Sequence, residues 1–379
     1  MKALFLVRDL PESRTSGYKK RNFYLLDELK KTKVDVVLFR EDQIGGVSKK
    51  TNKLTDAFMS LFSVLPFSIR SRYLPKVKER IENYLAANQV DIIICDSIYR
   101  ALNIPLKSKC KKILFEHNIE SIIIKRYADS EKNIFKKIFA YIEYLKLSDF
   151  EKKMWGKFDC VIACSSLDKV IMEQRASDIN VFVIKNGVDS DFFASNSKMP
   201  IDNDTLIYTG QIGWHPNEDA VIYFIKSILP LIRKEKPQIK FWVVGDGPSE
   251  RIRGLADKDK SIMITGFVDD VRSFIQKASV FVVPLRIGGG TRLKILEALS
   301  MRKAVVSTSI GCEGLDVEDN KNILIKDEPE EFAGAVLNLL KNETLRASLG
   351  NNGRKLVEEK YEWSAVFKNL DDILEAVKI

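Results

Sequence analysis

Short, nearly unbroken apolar runs recur along the chain, separated by longer stretches in which apolar residues return every three or four positions. The first half offers KALFLVR, VDVVLFR, DIIICD, KILFEH, CVIACS and VFVIKN. Runs of this kind predict strands covered on both faces, as in a parallel sheet. Between them lie helical patterns such as KKRNFYLLDELKK, VKERIENYLAAN and IFKKIFAYIEYLKLSDFEKKMW. The second half repeats the rhythm with TLIYTG, KFWVVGDG, SIMITGF, SVFVVPL, KAVVSTS and NILIKD, spaced by EDAVIYFIKSILPLIRK, VRSFIQKA, TRLKILEALS and PEEFAGAVLNLLKN. Strand then helix, repeated, predicts two open doubly wound α/β domains of Rossmann-like type. The break is expected within residues 186–204, NGVDSDFFASNSKMPIDND, which is rich in Asn, Asp and Ser and lacks periodicity. Open α/β sheets bind ligands beyond the carboxyl ends of their strands, so two facing domains would place one site in the cleft between them.

Composition agrees with that picture. The 379 residues exceed one ordinary core, and 45% hydrophobic with 30% charged residues leaves no long polar tract. The apolar run at the N-terminus, Ala3 to Val7, is shorter than a signal-peptide core, and no run reaches the roughly 18 apolar residues of a membrane span. A cytoplasmic location is therefore expected. Five scattered cysteines suit reduced thiols, and Cys160 and Cys164 in DCVIACS read as buried small side chains. With His117 and His215 as the only histidines, a histidine-rich metal centre is not expected. Charge is uneven: residues 1–187 hold 35 Lys and Arg against 23 Asp and Glu, the remainder 26 against 29. Such an excess serves nucleic acid, an anionic membrane surface or an acidic substrate, or is simply a solvated lysine-rich face.

Glycines decorate the ends of the second-half strands: Gly210 after TLIYT, GDGP at 245–248, Gly266 after SIMIT, and Gly288, Gly289 and Gly290 after SVFVVPL. The last loop, in VFVVPLRIGGGTRLKILEALS, is neither a Walker loop nor a dinucleotide fingerprint. Its glycines still offer approachable backbone, and the helix expected to begin near Thr291 would turn N–H groups toward a phosphate. Arg292 and Lys294 are placed in that helix's first turn, where cations and the helix dipole would act on one anion. The alternative is a surface pair, because Lys294 and Glu297 are three residues apart.

The ordered set NGVD (186–189), TGQIGWHPNEDA (209–220), VVGDGP (243–248), TGFVDDV (265–271), PLRIGGGTRLKILEAL (284–299) and YEWSAVF (361–367) resembles the retaining group 1 (family 4-like) glycosyltransferases of GT-B fold, in the subgroup with a GGGTRLKILEA-type loop. The first half shares it more thinly, through LFEHNIES and FDCVIACSS. The resemblance implies an acceptor-binding domain over 1–187, completed by a C-terminal helix over 363–379 that packs back on it. A nucleotide-sugar-binding domain is implied over 188–362. It assigns Glu297 to the donor ribose and the Gly288–Gly290 backbone and Thr291 to sugar and diphosphate. It also places His117 facing the reacting sugar and Gly17 in the loop after the first strand. Gly266, Phe267, Val268 and Asp246 are placed around the base. Two departures stand out. Gly289 replaces a family glutamate that recognises sugar hydroxyls, and Gln211 and Asn217 replace an arginine and a lysine that neutralise the diphosphate after the Gly210 turn. Arg292 and Lys294 are expected to restore that charge.

The activity so implied is metal-independent transfer of a hexosyl group from a UDP- or GDP-sugar, with retention, to a lipid-linked or glycan acceptor in polysaccharide or cell-envelope synthesis. Developing charge on the leaving diphosphate is met by cations and backbone dipoles, and His117 orients rather than attacks. No cofactor or metal is called for; the triplets Asp189-Ser190-Asp191 and Asp202-Asn203-Asp204 are read as turn caps of the interdomain segment. Residues 49–78 combine an apolar centre with basic flanks, so Phe62, Phe67, Arg70 and Arg72 form a candidate acceptor or membrane surface. That reading puts the enzyme peripherally on the inner face of the membrane and assigns the basic balance to lipid, with no nucleic-acid partner. A sugar-nucleotide epimerase of the same fold, or a catalytically impaired nucleotide-sugar-binding homologue, is the alternative.

Overall fold

The computed structural model describes residues 1–12, 17–44, 60–195 and 200–378. The chain divides into two compact units, Met1–Lys185 with Phe367–Ile379, and Asn186–Val366. Unit 1 runs β1 (Lys2–Val7), α1 (Gly17–Lys31), β2 (Asp35–Arg40), α2 (Glu41–Ile44), α3 (Phe67–Arg70), α4 (Pro75–Ala87), β3 (Ile92–Asp96) and a 3-10 turn (Ile98–Asn103). It continues through β4 (Lys111–Phe115), α5 (Glu120–Ser130), α6 (Ile134–Trp155), β5 (Cys160–Ala163), α7 (Ser166–Arg175) and β6 (Val181–Val183), with a closing helix Leu370–Lys378. Its parallel sheet has the order β2-β1-β3-β4-β5-β6. Every residue of β3 and β5 is buried, as the unbroken apolar runs require of strands covered on both faces. Side chains set the helix starts: Asn133 Oδ1 accepts from the Phe135 and Lys136 N–H groups, and Ser165 Oγ from Asp168 N.

Unit 2 contains β7 (Asp202–Thr209), α8 (His215–Tyr223), a π turn (Phe224–Ile228), α9 (Leu229–Glu235), β8 (Lys240–Val244), α10 (Glu250–Asp257) and β9 (Ile262–Gly266). There follow α11 (Arg272–Lys277), β10 (Ala278–Val283), α12 (Leu293–Ser300), β11 (Ala304–Ser307), β12 (Leu324–Ile325), α13 (Pro329–Lys341), α14 (Glu343–Lys360) and α15 (Trp363–Val366). The sheet order is β12-β11-β10-β7-β8-β9, all parallel. Order reverses between β10 and β7, which pair Val280 with Leu206 and Phe281 with Ile207. That reversal is where a doubly wound sheet leaves room for a ligand beyond its strand ends. In unit 1 the equivalent reversal falls between β1 and β3.

Three local differences from the sequence reading have physical reasons. The helix expected over EDAVIYFIKSILPLIRK widens to a π turn at Phe224–Ile228, because Pro230 lacks an N–H and the ladder must adjust before it. Asp202 and Asp204 belong to β7 rather than to a linker turn; Asp202 lies 2.9 Å from Lys240 Nζ and Asp204 3.6 Å from Lys236 Nζ. Helix α12 begins at Leu293, later than expected, since Arg292 is extended (φ −95°, ψ 97°).

Candidate functional site

In unit 2, Gly210 follows β7 and the triple-glycine loop follows the adjacent strand β10. The GDGP turn after β8 is stitched to the first of these. Gly210 N donates to Val244 O at 3.0 Å, while Ile212 N and Gly213 N donate to Asp246 O at 2.7 and 3.2 Å. Gly245, at φ +141°, admits no side chain, because a Cβ there would lie 1.8 Å from Gly210 O. Gly245 N donates in turn to Gly266 O at 3.1 Å, so the ends of β7, β8 and β9 form one rim. Asp246 is exposed, with Oδ1 accepting from Gly247 N at 2.7 Å. Beyond β9, Phe267 is 72% exposed and Val268 packs half-buried on the core.

Lys294 joins the two sides of the switch point. Although it belongs to α12, its Nζ donates to Tyr208 Oη at 2.8 Å and Asn217 Oδ1 at 2.9 Å, both contacts reaching back to the β7 side. It stands so near the Gly210 turn that a Cβ on Gly210 would meet Nζ at 2.7 Å. Tyr208 Oη donates to Asn217 Oδ1 at 2.5 Å, and Asn217 Nδ2 to the backbone oxygen of exposed Gln211 at 2.8 Å. Burial, and then the charge of Arg292, push the Lys294 ammonium well below the usual lysine range, against the pull of Glu297. Burial likewise raises the Tyr208 hydroxyl far above its ordinary value, so it stays a neutral partner.

Arg292 is placed differently from its neighbour. Its guanidinium is buried, and Nη1 donates to the carbonyls of Gly289 and Gly290. At Gly288, φ is +144° and a Cβ would meet Nη2 at 2.5 Å, so the loop is shaped around this guanidinium. Thr291 Oγ1 accepts from Asn186 Nδ2 at 2.6 Å, and Glu297 is buried one turn beyond Lys294. The NGVD and YEW motifs serve the same corner. Val188 N donates to Tyr361 O at 2.8 Å, Ser190 N to Glu362 Oε1 at 3.1 Å, and the Trp363 ring packs against Gly187. Thus Gly210, Gln211, Asn217, Asp246, Gly266, Gly288, Gly289, Gly290, Thr291, Lys294 and Glu297 gather around the carboxyl ends of one sheet.

In unit 1, His117 stands just beyond β4, its Nε2 2.5 Å from Oδ1 of Asp96 at the buried end of β3. Burial alone would raise the Asp96 carboxyl, but the charges of His117 and Arg100 and hydrogen bonds from His117 and Asn22 bring it below the usual carboxylate range. Arg100 Nη1 also donates to Asp96 O at 2.8 Å, and its Nε lies 3.3 Å from Glu41 Oε2. The Tyr18 ring meets His117 edge-on at 6.4 Å. Gly17 opens α1; residues 13–16 of its loop lie outside the described residues. Arg21 is fully buried and donates to Glu116 O, Cys164 Sγ and Ile184 O at 2.8, 2.8 and 2.9 Å, tying the ends of β4, β5 and β6 together.

Of the basic apolar segment, residues 49–59 lie outside the described residues. Phe62 is 78% exposed, Phe67 is half-buried at the start of α3, and Arg70 is exposed. Arg72 stacks 4.2 Å from the Tyr99 ring centroid and donates to Ser68 O at 2.6 Å. Among the described residues, no group of three or more His, Cys, Asp or Glu is arranged to hold a metal ion, and no helix is long and apolar enough to cross a membrane. Sequence reasoning missed Tyr208, Asp96 and Arg21. The first two carried a signal, a polar residue closing an apolar strand run, whereas nothing in the periodicity of α1 marks Arg21 as buried.

Residues 203–342 match the family model of glycosyl transferases, group 1. A protein of Klebsiella pneumoniae, described as an uncharacterized 44.6 kDa protein in the cps region, is 24% identical over 89% of this chain and 90% of its own length. The phosphatidyl-myo-inositol mannosyltransferase of Mycobacterium tuberculosis is 24% identical over 81% of this chain and 79% of its own. The structure of Anabaena Alr3699/HepE in complex with UDP and glucose superposes with a TM-score of 0.69 at 14% identity, over 99% of both chains. The fold is that of GT-B glycosyltransferases, α/β with two parallel six-stranded sheets.

Proposed function

We propose that the protein is a retaining, metal-independent glycosyltransferase of the group 1 type. It takes a hexosyl unit from a UDP- or GDP-sugar and passes it to a lipid-linked or glycan acceptor in polysaccharide or cell-envelope synthesis. One observation carries the reading: at the β7/β10 switch point, Lys294 brings an ammonium from the triple-glycine side to the Gly210 turn. Where the resemblance implies an arginine and a lysine after Gly210, this chain has Gln211 and Asn217, and Lys294, held by Asn217 itself, supplies a positive charge at the same turn. Arg292 contributes by fixing the loop whose backbone meets the anion.

The chemistry follows from the charge that must develop. Breaking the bond from the anomeric carbon to the diphosphate leaves negative charge on the phosphate oxygens and an oxocarbenium-like sugar. The Lys294 ammonium and the backbone N–H groups of the glycine loops stabilise the leaving group, Glu297 holds the donor ribose, and the acceptor hydroxyl attacks from the face the diphosphate leaves, giving its proton to the departing phosphate oxygen as the new glycosidic bond forms. His117, fixed by Asp96, orients the reaction without becoming a nucleophile. Gly289 supplies no carboxylate to the sugar hydroxyls, so sugar selection rests on other contacts. Because cations of the protein meet the diphosphate, turnover should survive a chelator.

The relative with phosphatidyl-myo-inositol in its name supports a lipid-linked acceptor, and the UDP complex of a protein of this fold supports a nucleotide-sugar donor. The test is a panel of UDP-, GDP- and ADP-sugars followed for nucleotide release with and without acceptor extracts. Acceptor-dependent release is expected. Rearrangement of the donor without acceptor would point to an epimerase, and binding without turnover to an impaired homologue.

A further inference from the structure

Helix α6 carries apolar residues on two opposite sides. Leu147, Phe150, Met154 and Trp155 are buried in the core of unit 1. Ile134, Phe135, Ile138 and Leu145 are instead 58, 81, 51 and 63% exposed. At about 100° per residue, these four fall within roughly one third of the helix circumference, away from the buried side. A helix apolar on both sides is either enclosed or meets something on its second side.

A second element extends the exposed face. Lys146 Nζ donates to the carbonyls of Ser60, Leu61 and Ser63 at 2.8, 3.1 and 2.7 Å. Three residues earlier on the helix, the Glu143 carboxylate accepts from Phe67 N and Ser68 N at 2.8 and 2.9 Å. This clasp holds the turn against α6 while leaving Phe62 and Val64 78 and 88% exposed. Two charged side chains are thus committed to fixing an apolar protrusion in place.

Charge indicates what covers it. Lys132, Lys136 and Lys137 stand at the start of the helix and Lys152 at its end, while of the acids of residues 131–153 Glu143 and Glu151 are buried, Glu131 is half-buried and Asp149 is paired with Lys153 at 2.7 Å. A second copy would bring these lysine-flanked helix ends against like charge; an anionic surface would complement them. We propose that the exposed face of α6, together with Phe62 and Val64, is a docking surface for an anionic lipid bilayer. The apolar side chains enter the headgroup boundary and the lysines remain among the phosphates. The surface lies within unit 1 and does not depend on the donor chemistry.

The test uses the full chain and sedimentation with vesicles of phosphatidylcholine, alone or mixed with phosphatidylglycerol. Binding is expected only to the mixed vesicles, weakening as salt is raised. The pair F135S and I138S should weaken it by roughly tenfold or more, since two large apolar side chains no longer leave water. F62S, on the other element, should act in the same direction, and V170S, exposed on α7, should leave binding unchanged. All are surface positions, and thermal melts check that each variant folds. Failure of the wild type to bind mixed vesicles at low salt, or undiminished binding by F135S/I138S, would overturn the proposal. So would a concentration-dependent dimer abolished by the same substitutions, which would assign the face to a second copy.

Discussion

Replacing Lys294 with methionine separates a role in anion binding from a role in folding. The side chains are of similar length, so the substitution mainly removes the charge and its donors. The side chain is half-buried, and its ammonium is held by two neutral partners, Tyr208 and Asn217, and repelled by Arg292. Its removal leaves Tyr208 Oη bonded to Asn217 Oδ1. The melting temperature of Lys294→Met should therefore be unchanged or higher, with stability within about 1 kcal/mol of wild type or above it. Affinity for UDP should behave oppositely. A charge-assisted hydrogen bond to phosphate contributes ~1.5–3 kcal/mol, so Kd should rise roughly 10- to 150-fold. The lowered pKa adds a second signature. Phosphate beside the ammonium favours its charged form, so binding takes up a proton, and affinity falls as pH rises through the depressed free-state value. Titration calorimetry in two buffers of different ionisation enthalpy should show that uptake in wild type and not in Lys294→Met. A variant that binds UDP within roughly twofold of wild type, with the same buffer dependence, would refute the assignment of Lys294 to the diphosphate.

Asp96→Asn keeps the shape beside His117 and removes the charge; kcat should fall roughly ten- to a hundredfold with KM little changed, and steady-state kinetics against donor concentration checks the split. Glu151, fully buried between Ser121 and Arg175, is pushed up to about 7 by burial. Its folded pKa exceeds its unfolded one, so its contribution to stability is present below the unfolded value and is lost as pH rises through about 7. Melts at acid and alkaline pH should show a loss in wild type to which Glu151 contributes on the order of 1–3 kcal/mol, a share that Glu151→Gln removes while the raised carboxyls of Glu116 and Glu120 keep theirs. Gly245→Ala forces a Cβ against Gly210 O at a backbone angle suited to glycine, and should destabilise by about 2 kcal/mol or more in denaturant titration while also weakening UDP binding.

How much of this was legible beforehand depends on whether the cause was local. Strands such as DIIICD and SVFVVPL declare themselves because a parallel strand buried on both faces must be apolar throughout. The glycine turns are visible for the same reason, since only glycine fits where backbones approach as closely as Gly245 and Gly210 do. Arg292 and Lys294 look equivalent in TRLK, but one folds into its own loop and the other crosses to β7. That difference depends on β7 and β10 being neighbours, which no periodicity encodes. Asp96 and His117 are 21 positions apart and meet because β3 pairs with β4. Asp202 and Asp204, read as turn caps, instead start a strand in which Asp202 pairs with Ala278 of β10, and Lys240 and Lys236 stand beside them.

In the proposed reaction a nucleotide diphosphate lies at the carboxyl ends of β7 and β10, between the Gly210 turn and the triple-glycine loop. A crystal structure of the protein with UDP tests it directly. Diphosphate density is expected against the backbone of Gly210 and Gly288–Gly290, with Lys294 Nζ within hydrogen-bonding distance, about 3 Å, of a phosphate oxygen. Diphosphate bound elsewhere, or bound here with Lys294 still turned only to Tyr208 and Asn217, would contradict it.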